Sequence, residues 1–429
     1  MASQESLWRN PSFSRLWIAQ IVSNAGSQIT RVALPLTAVL TINATPAQMG
    51  MIGTASSLPN LLFSLFVGVW VDRSQRRPLL IAADLGRALL LGSIPIAVFI
   101  GQLTFIHLLV VAFGMATLGI LSTIASVSIL PTIVSDDQLV EANGKLSSSS
   151  SFLQIAGPSL AGGLVQLVTA PIAIIGDAIS YFLSAFLLRG MITDEAMPKA
   201  AQARRNMWQE IGEGIHELFR TPVLQALTIS SAVGALGNAV YRTMFILFVT
   251  RDLGMSPLLI GIVYTCGGVG ALLGALIVEP TTRVMGVGRA IVLGNFLWAA
   301  GMIVIPLAIF VAGIMIPVTA PISSMLGISE AFLIVCVGEA ISSIGATIYS
   351  VAQMSLRQHI TPTHLFGRST AARRFFVLGL STGGAALGGV LGTVIGVQPT
   401  LLIGALGMGA GFIVVLFSAV IHVKSLKTE

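Results

Sequence analysis

Gly68-Val69-Trp70-Val71-Asp72-Arg73-Ser74-Gln75-Arg76-Arg77-Pro78 decides the architecture. An apolar run from Met49 to Val71 ends abruptly in one acid and three arginines, and a second run begins at Leu79. Two hydrophobic stretches joined by a tight cationic turn form a hairpin at the cytoplasmic face of a membrane, where Lys and Arg collect. The rest of the chain can be placed relative to this turn.

Composition agrees. The 429 residues are 55% hydrophobic and 9% charged, with a mean hydropathy of +0.91. Soluble domains carry about 25% charged residues, so no soluble core could hide this much apolar surface. The net charge of +6 reads as basic loops facing the cytoplasm and anionic lipid, not as a nucleic-acid surface. Cys266 and Cys336 sit inside apolar runs; they read as small core residues and form no disulfide framework or metal spacing. The polar stretch before Asn10 runs straight into an apolar segment with no small-residue cleavage site, so no cleaved signal peptide is expected.

Crossing about 30 Å of hydrocarbon takes roughly 20 residues of helix. Runs of that length fall near 13–40, 48–71, 78–100, 105–131, 145–169, 171–190, 222–250, 257–280, 290–312, 329–353, 375–396 and 400–422. The expectation is therefore an all-α polytopic membrane protein with twelve transmembrane helices. No alternating pattern suggests a barrel, and helices satisfy their own backbones in lipid. With both termini cytoplasmic, nearly every loop arginine and lysine lies inside, and Arg251 alone lies outside. The polar segment 191–221 interrupts the rhythm; its second part spaces Met207, Trp208, Ile211, Ile215, Leu218 and Phe219 as an amphipathic helix expected on the inner membrane surface.

The chain is internally duplicated. A displacement of 211 residues lays Pro11 on Pro222, Gly26 on Gly237, Arg31 on Arg242, Pro46 on Pro257 and Gly50 on Gly261. A displacement of 226 lays Gly157 on Gly383, Gly162 on Gly388 and Gly163 on Gly389. Repeated Pro, Gly and intramembrane Arg are far more telling than repeated Leu. Two pseudo-symmetric six-helix bundles are expected: residues 1–190 and 222–429, joined by a cytoplasmic linker, 191–221. Such parallel repeats put the substrate site between the halves near the membrane midplane.

On these residues the chain resembles the major facilitator superfamily. Gly68, Asp72, Arg73, Arg76 and Arg77 match its loop 2–3 signature, with Gln75 where the signature has glycine. The opening Asn10-Pro11-Ser12-Phe13-Ser14-Arg15-Leu16-Trp17, the run from Arg76 to Arg87 and Glu141-Ala142-Asn143-Gly144 look like the drug:proton antiporter branch holding macrolide-efflux and enterobactin-exporter proteins. Gly157-Pro158 and Gly162-Gly163 resemble that branch's span-five signature with one extra residue between the pairs. Span four lacks the arginine many such antiporters carry there. The resemblance implies secondary active transport, with export of an amphipathic small molecule (a drug, a macrolide-like compound or a siderophore) driven by proton influx. The implied setting is a bacterial cytoplasmic membrane, with a small-molecule substrate, protons and lipid as partners, and the chain as a monomer. A lysophospholipid transporter is the alternative within the same architecture. A membrane-embedded enzyme or sensor on the same scaffold is the alternative outside it.

Several residues then carry the chemistry. Gly68, Asp72, Arg73, Arg76 and Arg77 form a candidate gating loop, in which Asp72 can meet the positive end of a helix; Asp84 and Arg87, one turn apart, could extend its charge cluster. Arg31 and Arg242 lie inside spans, where a charge is costly unless paired or wet. On span one Gln20, Asn24, Gln28 and Arg31 share a helix face, and on span seven Ser231, Asn238, Tyr241 and Arg242 do likewise. In the resembled family spans one, four, seven and ten line the cavity, which makes Asn24, Gln28, Arg31, Asn238, Tyr241 and Arg242 candidate cavity residues. Glu339 and, after it, Asp177 are the candidate proton carriers. Gly157, Pro158, Gly162 and Gly163 read as hinge and packing residues. Scattered histidines give no metal spacing, no phosphate-binding loop is present, and no catalytic set converges, so neither cofactor nor enzyme activity is expected.

Overall fold

A computed structural model describes residues 7–192, 207–308, 310 and 329–423. The helices are α1 (Pro11–Leu36), α2 (Pro46–Asp72), α3 (Arg76–Phe99), α4 (Phe105–Ile129), α5 (Leu139–Val168), α6 (Ala170–Arg189) and α7 (Met207–Arg220). After them come α8 (Pro222–Leu247), α9 (Pro257–Met285), α10 (Val287–Val304), α11 (Glu330–Ile360), α12 (Thr363–Val394) and α13 (Val397–Leu416). Ten of the described helices are long and apolar enough to cross a membrane; α1 and α2, of 26 and 27 residues, complete the twelve expected. The acidic and basic residues expected at 194–205 lie outside the described residues.

Local chemistry explains where the helices start. Asn10 caps α1 by accepting from the Ser12 and Phe13 amides, with Pro11 at the first helical position, where its missing N–H costs nothing. Thr221 and Pro222 repeat the device on α8. The duplication extends to an unusual detail: α1 runs into a π-helical turn, Thr37–Thr41, and α8 into its counterpart, Phe248–Asp252. The α5–α6 and α12–α13 links also correspond. Gly396 turns the second at φ 93°, and Thr169, at φ 81°, holds the same conformation against its Cβ.

The chain divides into two compact units, Met1–Ala44 with Ala55–Ala203, and Thr45–Thr54 with Arg204–Glu429. In the first, α1 packs on α5 and α6, and α3 on α4 and α6. Phe13, Leu16, Leu80, Leu121, Ala125 and Leu188 form its core. In the second, α8 packs on α12 and α13, and α10 on α11 and α13, the same pairs repeated; α11 also packs on α9. Here glycines bring backbones together: a Cβ on Gly301 would meet the Gly338 carbonyl at 2.5 Å. The first turns of α2 cluster with this unit, where a Cβ on Gly50 would lie 2.5 Å from the Gly389 Cα. Pro59 lies farther along α2. Large apolar side chains such as Phe99, Leu167 and Val284 point outward, as a lipid-facing surface requires.

The amphipathic segment does form a helix, α7, one flank of which packs on α12, while Ile215 and Phe219 stay exposed. Glu213 pairs with Arg368 of α12, Gly214 lies against the Arg368 carbonyl, and Phe219 meets Phe376 edge-on at 6.4 Å.

Candidate functional site

The first unit holds a polar cavity of about 240 Å³, lined by Gln20, Asn24 and Ser27 of α1, Asp84 and Arg87 of α3, and Ser122 of α4. Arg87 is nearly buried. It donates to Asp84 and, at 2.8 Å, to Ser122 Oγ, and its guanidinium lies 4.2 Å from the centre of the Tyr181 ring. Ser184 of α6 donates to Asp84 at 2.6 Å, and the hydroxyls of Tyr181 and Ser27 share a 2.8 Å hydrogen bond. Four helices are thereby tied by one charge pair and its hydroxyl partners. The α3 face that Asp84 and Arg87 occupy turns toward α4 and α6.

The polar stripe of α1 divides. Gln20, Asn24 and Ser27 face the cavity, whereas Gln28 is buried against Gly157 of α5, where a Cβ would strike its side chain. Arg31 is exposed at the surface of its unit. Asp177 is fully buried, and both its oxygens are held, one by Thr30 and one by Ser180 at 3.0 Å. Gly26 makes room for that pair, since a Cβ there would overlap the Ser180 and Asp177 side chains. Pro158 and Gly162 are buried in α5, which continues through the proline.

In the hairpin, α2 ends at Asp72, whose side chain lies outside what is described. Gln75 sits before α3 at φ −68°, ψ 126°, a conformation open to any residue, so the missing signature glycine costs nothing here. Arg77 donates its Nε to the Leu188 carbonyl at 3.0 Å and an Nη to the Arg189 carbonyl. Arg15 reaches the carbonyl of Gly190. Both arginines therefore close the C-terminal end of α6, where orphan carbonyls and the helix dipole favour cations. Arg73 is exposed, Arg76 is partly buried, and a Cβ on Gly68 would meet nothing within 4 Å.

In the second unit Glu339 is 3% exposed. Its Oε1 lies 3.5 Å from Arg242 Nη2, and Arg242 keeps 41% of its side chain open. The other carboxylate oxygen is buried with no hydrogen-bond donor among the described residues. Gly267 of α9 approaches the carboxylate stem, with its Cβ position 3.0 Å from Glu339 Cγ. Tyr241 stacks on Phe245 at 5.9 Å. Its hydroxyl and the Asn238 side-chain oxygen are also buried without partners. Cys266 and Cys336, 70 positions apart, are neighbouring free thiols on the packed pair α9 and α11. Nothing in the spacing of the two cysteines signals this proximity. Among the described residues no three His, Cys, Asp or Glu side chains gather as a metal site.

Six-helix repeats with charge pairs buried inside them define a multi-pass membrane transporter of small molecules. A family model described as transmembrane secretion effector, within the major facilitator superfamily, matches residues 2–429, and the chain belongs to that family. The uncharacterized MFS-type transporter YfiS of Bacillus subtilis is 25% identical over 93% of this chain and 91% of its own. Macrolide efflux protein A of Streptococcus pyogenes is 26% identical, with 83% of each chain covered. Among solved structures, a bacterial homologue of the iron transporter ferroportin in its inward-facing state superposes with TM-score 0.71 at 15% identity, covering 96% of this chain and 99% of that one. These relatives are transporters, not enzymes, and they bear out the fold and the superfamily expected.

Proposed function

We propose that this chain exports amphipathic small molecules across a bacterial cytoplasmic membrane in exchange for protons. It works as a monomer by alternating access of residues 1–190 and 222–429, with both termini and the 191–221 linker cytoplasmic. The observation that carries the coupling is Glu339: a buried carboxylate with one oxygen on Arg242 and the other lacking any donor among the described residues. A proton is the smallest ligand that satisfies such an oxygen, and its arrival weakens the hold on Arg242. Arg242 is then free to meet substrate, and loss of the proton draws it back. Asp177 is the weaker carrier, because hydroxyls already hold both its oxygens. The similarity to macrolide efflux protein A supports an amphipathic cargo; Asn24, Arg31 and Asn238 remain proposed polar contacts in addition to Arg242, whereas Gln28, packed on Gly157, and Tyr241, with its hydroxyl buried, no longer fit that role.

The test is efflux of dyes and macrolides from cells lacking their main pumps. The chain should lower accumulation, and a protonophore should abolish that effect. Accumulation that ignores the protonophore rejects proton coupling.

A further inference from the structure

Arg357 and Arg373 sit near the ends of α11 and α12, where basic residues ordinarily mark the cytoplasmic side by snorkelling to water. Arg357 does not do so: it is 2% exposed. Its Nη2 donates to Thr370 Oγ1 at 3.3 Å, its guanidinium stands 5.9 Å from the Phe366 ring, and its Nε is buried with no acceptor among the described residues. Arg373 donates Nη2 to Ser231 Oγ at 2.8 Å and to Gln353 Oε1 at 3.0 Å, and its Nε is likewise buried with no acceptor.

The two side chains are interleaved. Gln353, which holds Arg373, lies one turn before Arg357; Thr370, which holds Arg357, lies one turn before Arg373. Among the described residues neither has an ion pair; of the acids of neighbouring α7, Glu213 pairs with Arg368 and Glu217 with Arg220, and the side chain of Glu210 lies outside what is described. Two cations held together in an apolar helix pair without a carboxylate are unfavourable unless an anion joins them. A guanidinium presents its donors as a fork that suits a phosphate or carboxylate, and here two inward donors stand unused.

We propose that Arg357 and Arg373 form a binding site for an anionic phosphate or carboxylate group, with Gln353, Thr370 and Ser231 as its polar frame. The site does not depend on the export reading, because its occupancy is measured without transport.

The test is ligand-induced thermal stabilisation of the purified full chain in a neutral detergent at fixed ionic strength. Octyl phosphate, inorganic phosphate and octyl glucoside are compared there, and nanodiscs of phosphatidylcholine with and without phosphatidylglycerol are compared in parallel. Saturable stabilisation by a phosphate-bearing probe and not by octyl glucoside is expected. R357Q and R373Q should weaken it about tenfold, and R374Q, at an exposed neighbour, should leave it unchanged. Inorganic phosphate acting alone would assign a free anion, stabilisation only by octyl phosphate a soluble amphiphile, and stabilisation only in phosphatidylglycerol discs a lipid headgroup. The proposal is overturned if no anion stabilises the protein, or if R373Q and R357Q respond as the wild type does. Should R357Q not fold, R373Q, at a half-buried position, carries the comparison.

Discussion

Glu339 and Asp177 are both carboxylates buried in apolar helices, and the structure separates them by what their oxygens touch. Glu339→Gln keeps the shape and removes the titrating oxygen, so protonophore-sensitive efflux should fall at least about tenfold, roughly 1.4 kcal/mol, while the protein still reaches the membrane. Unchanged sensitivity to the protonophore would move the carrier elsewhere. Asp177→Asn should lower thermal stability, because Thr30 and Ser180 lose charged acceptors, while the response to the protonophore persists. At the link into α6, Thr169→Gly should stabilise the purified protein by about 1 kcal/mol by relieving its positive φ; a lowered melting temperature would contradict that. The proximity of Cys266 and Cys336 makes a further check. Copper-phenanthroline with oxygen as oxidant should remove the two thiol protons and two electrons and leave a disulfide joining α9 to α11, detectable by mass spectrometry of linked peptides. At this scale the sequence was only partly legible. Intramembrane Arg242 and Glu339 stand out because charge is rare in lipid. Arg357 and Arg373 read as topology markers, because a linear sequence does not show toward which neighbour a helix end turns. The spacing of Gln353 to Arg357 and of Thr370 to Arg373 was the available hint.

Elements show the same division between what pattern reveals and what packing adds. The prolines repeated at 11 and 222 mark where α1 and α8 begin, and the amphipathic spacing announced α7. Spacing says which face of α7 is apolar but not which flank meets protein: Gly214 and Leu218 are buried on the α12 side, while Ile215 and Phe219 stay exposed. Gly214→Ala should therefore destabilise the protein by about 1–3 kcal/mol through overpacking against the Arg368 carbonyl. Gly212→Ala, at a position with open space, should be neutral or stabilising through helix propensity. Equal melting temperatures for the two variants would show that α7 does not rest there. The hairpin is similar. Arg77 was legible as part of a signature, but its local work, closing the end of α6, depends on a helix more than 100 residues away. Arg77→Ala should cost about 1–2 kcal/mol of stability, so transport by such a variant has to be judged per folded molecule before any gating role is inferred.

At the scale of the whole molecule, the duplication was the most legible feature, because Pro, Gly and the arginines within the spans recur at a displacement of 211 and further glycines at 226, and the paired π-helical turns repeat it in three dimensions. The polar network around Asp84 and Arg87 was not legible, since it draws single residues from four helices. The loop arginines carry the proposal that both termini are cytoplasmic. A fluorescent-protein fusion at the C-terminus should fluoresce and an alkaline phosphatase fusion there should be inactive; the opposite pair of results would invert the topology. One helix spans the division of the molecule. The first turns of α2 group with the second unit and the remainder with the first, and the changeover falls between Thr54 and Ala55. Pro59 has no N–H to offer the carbonyl four residues before it, which is that of Ala55. The helical ladder thus lacks a rung where its allegiance changes. Like a scored line in a beam, that spot is where flexing should concentrate, leaving the rods on either side straight.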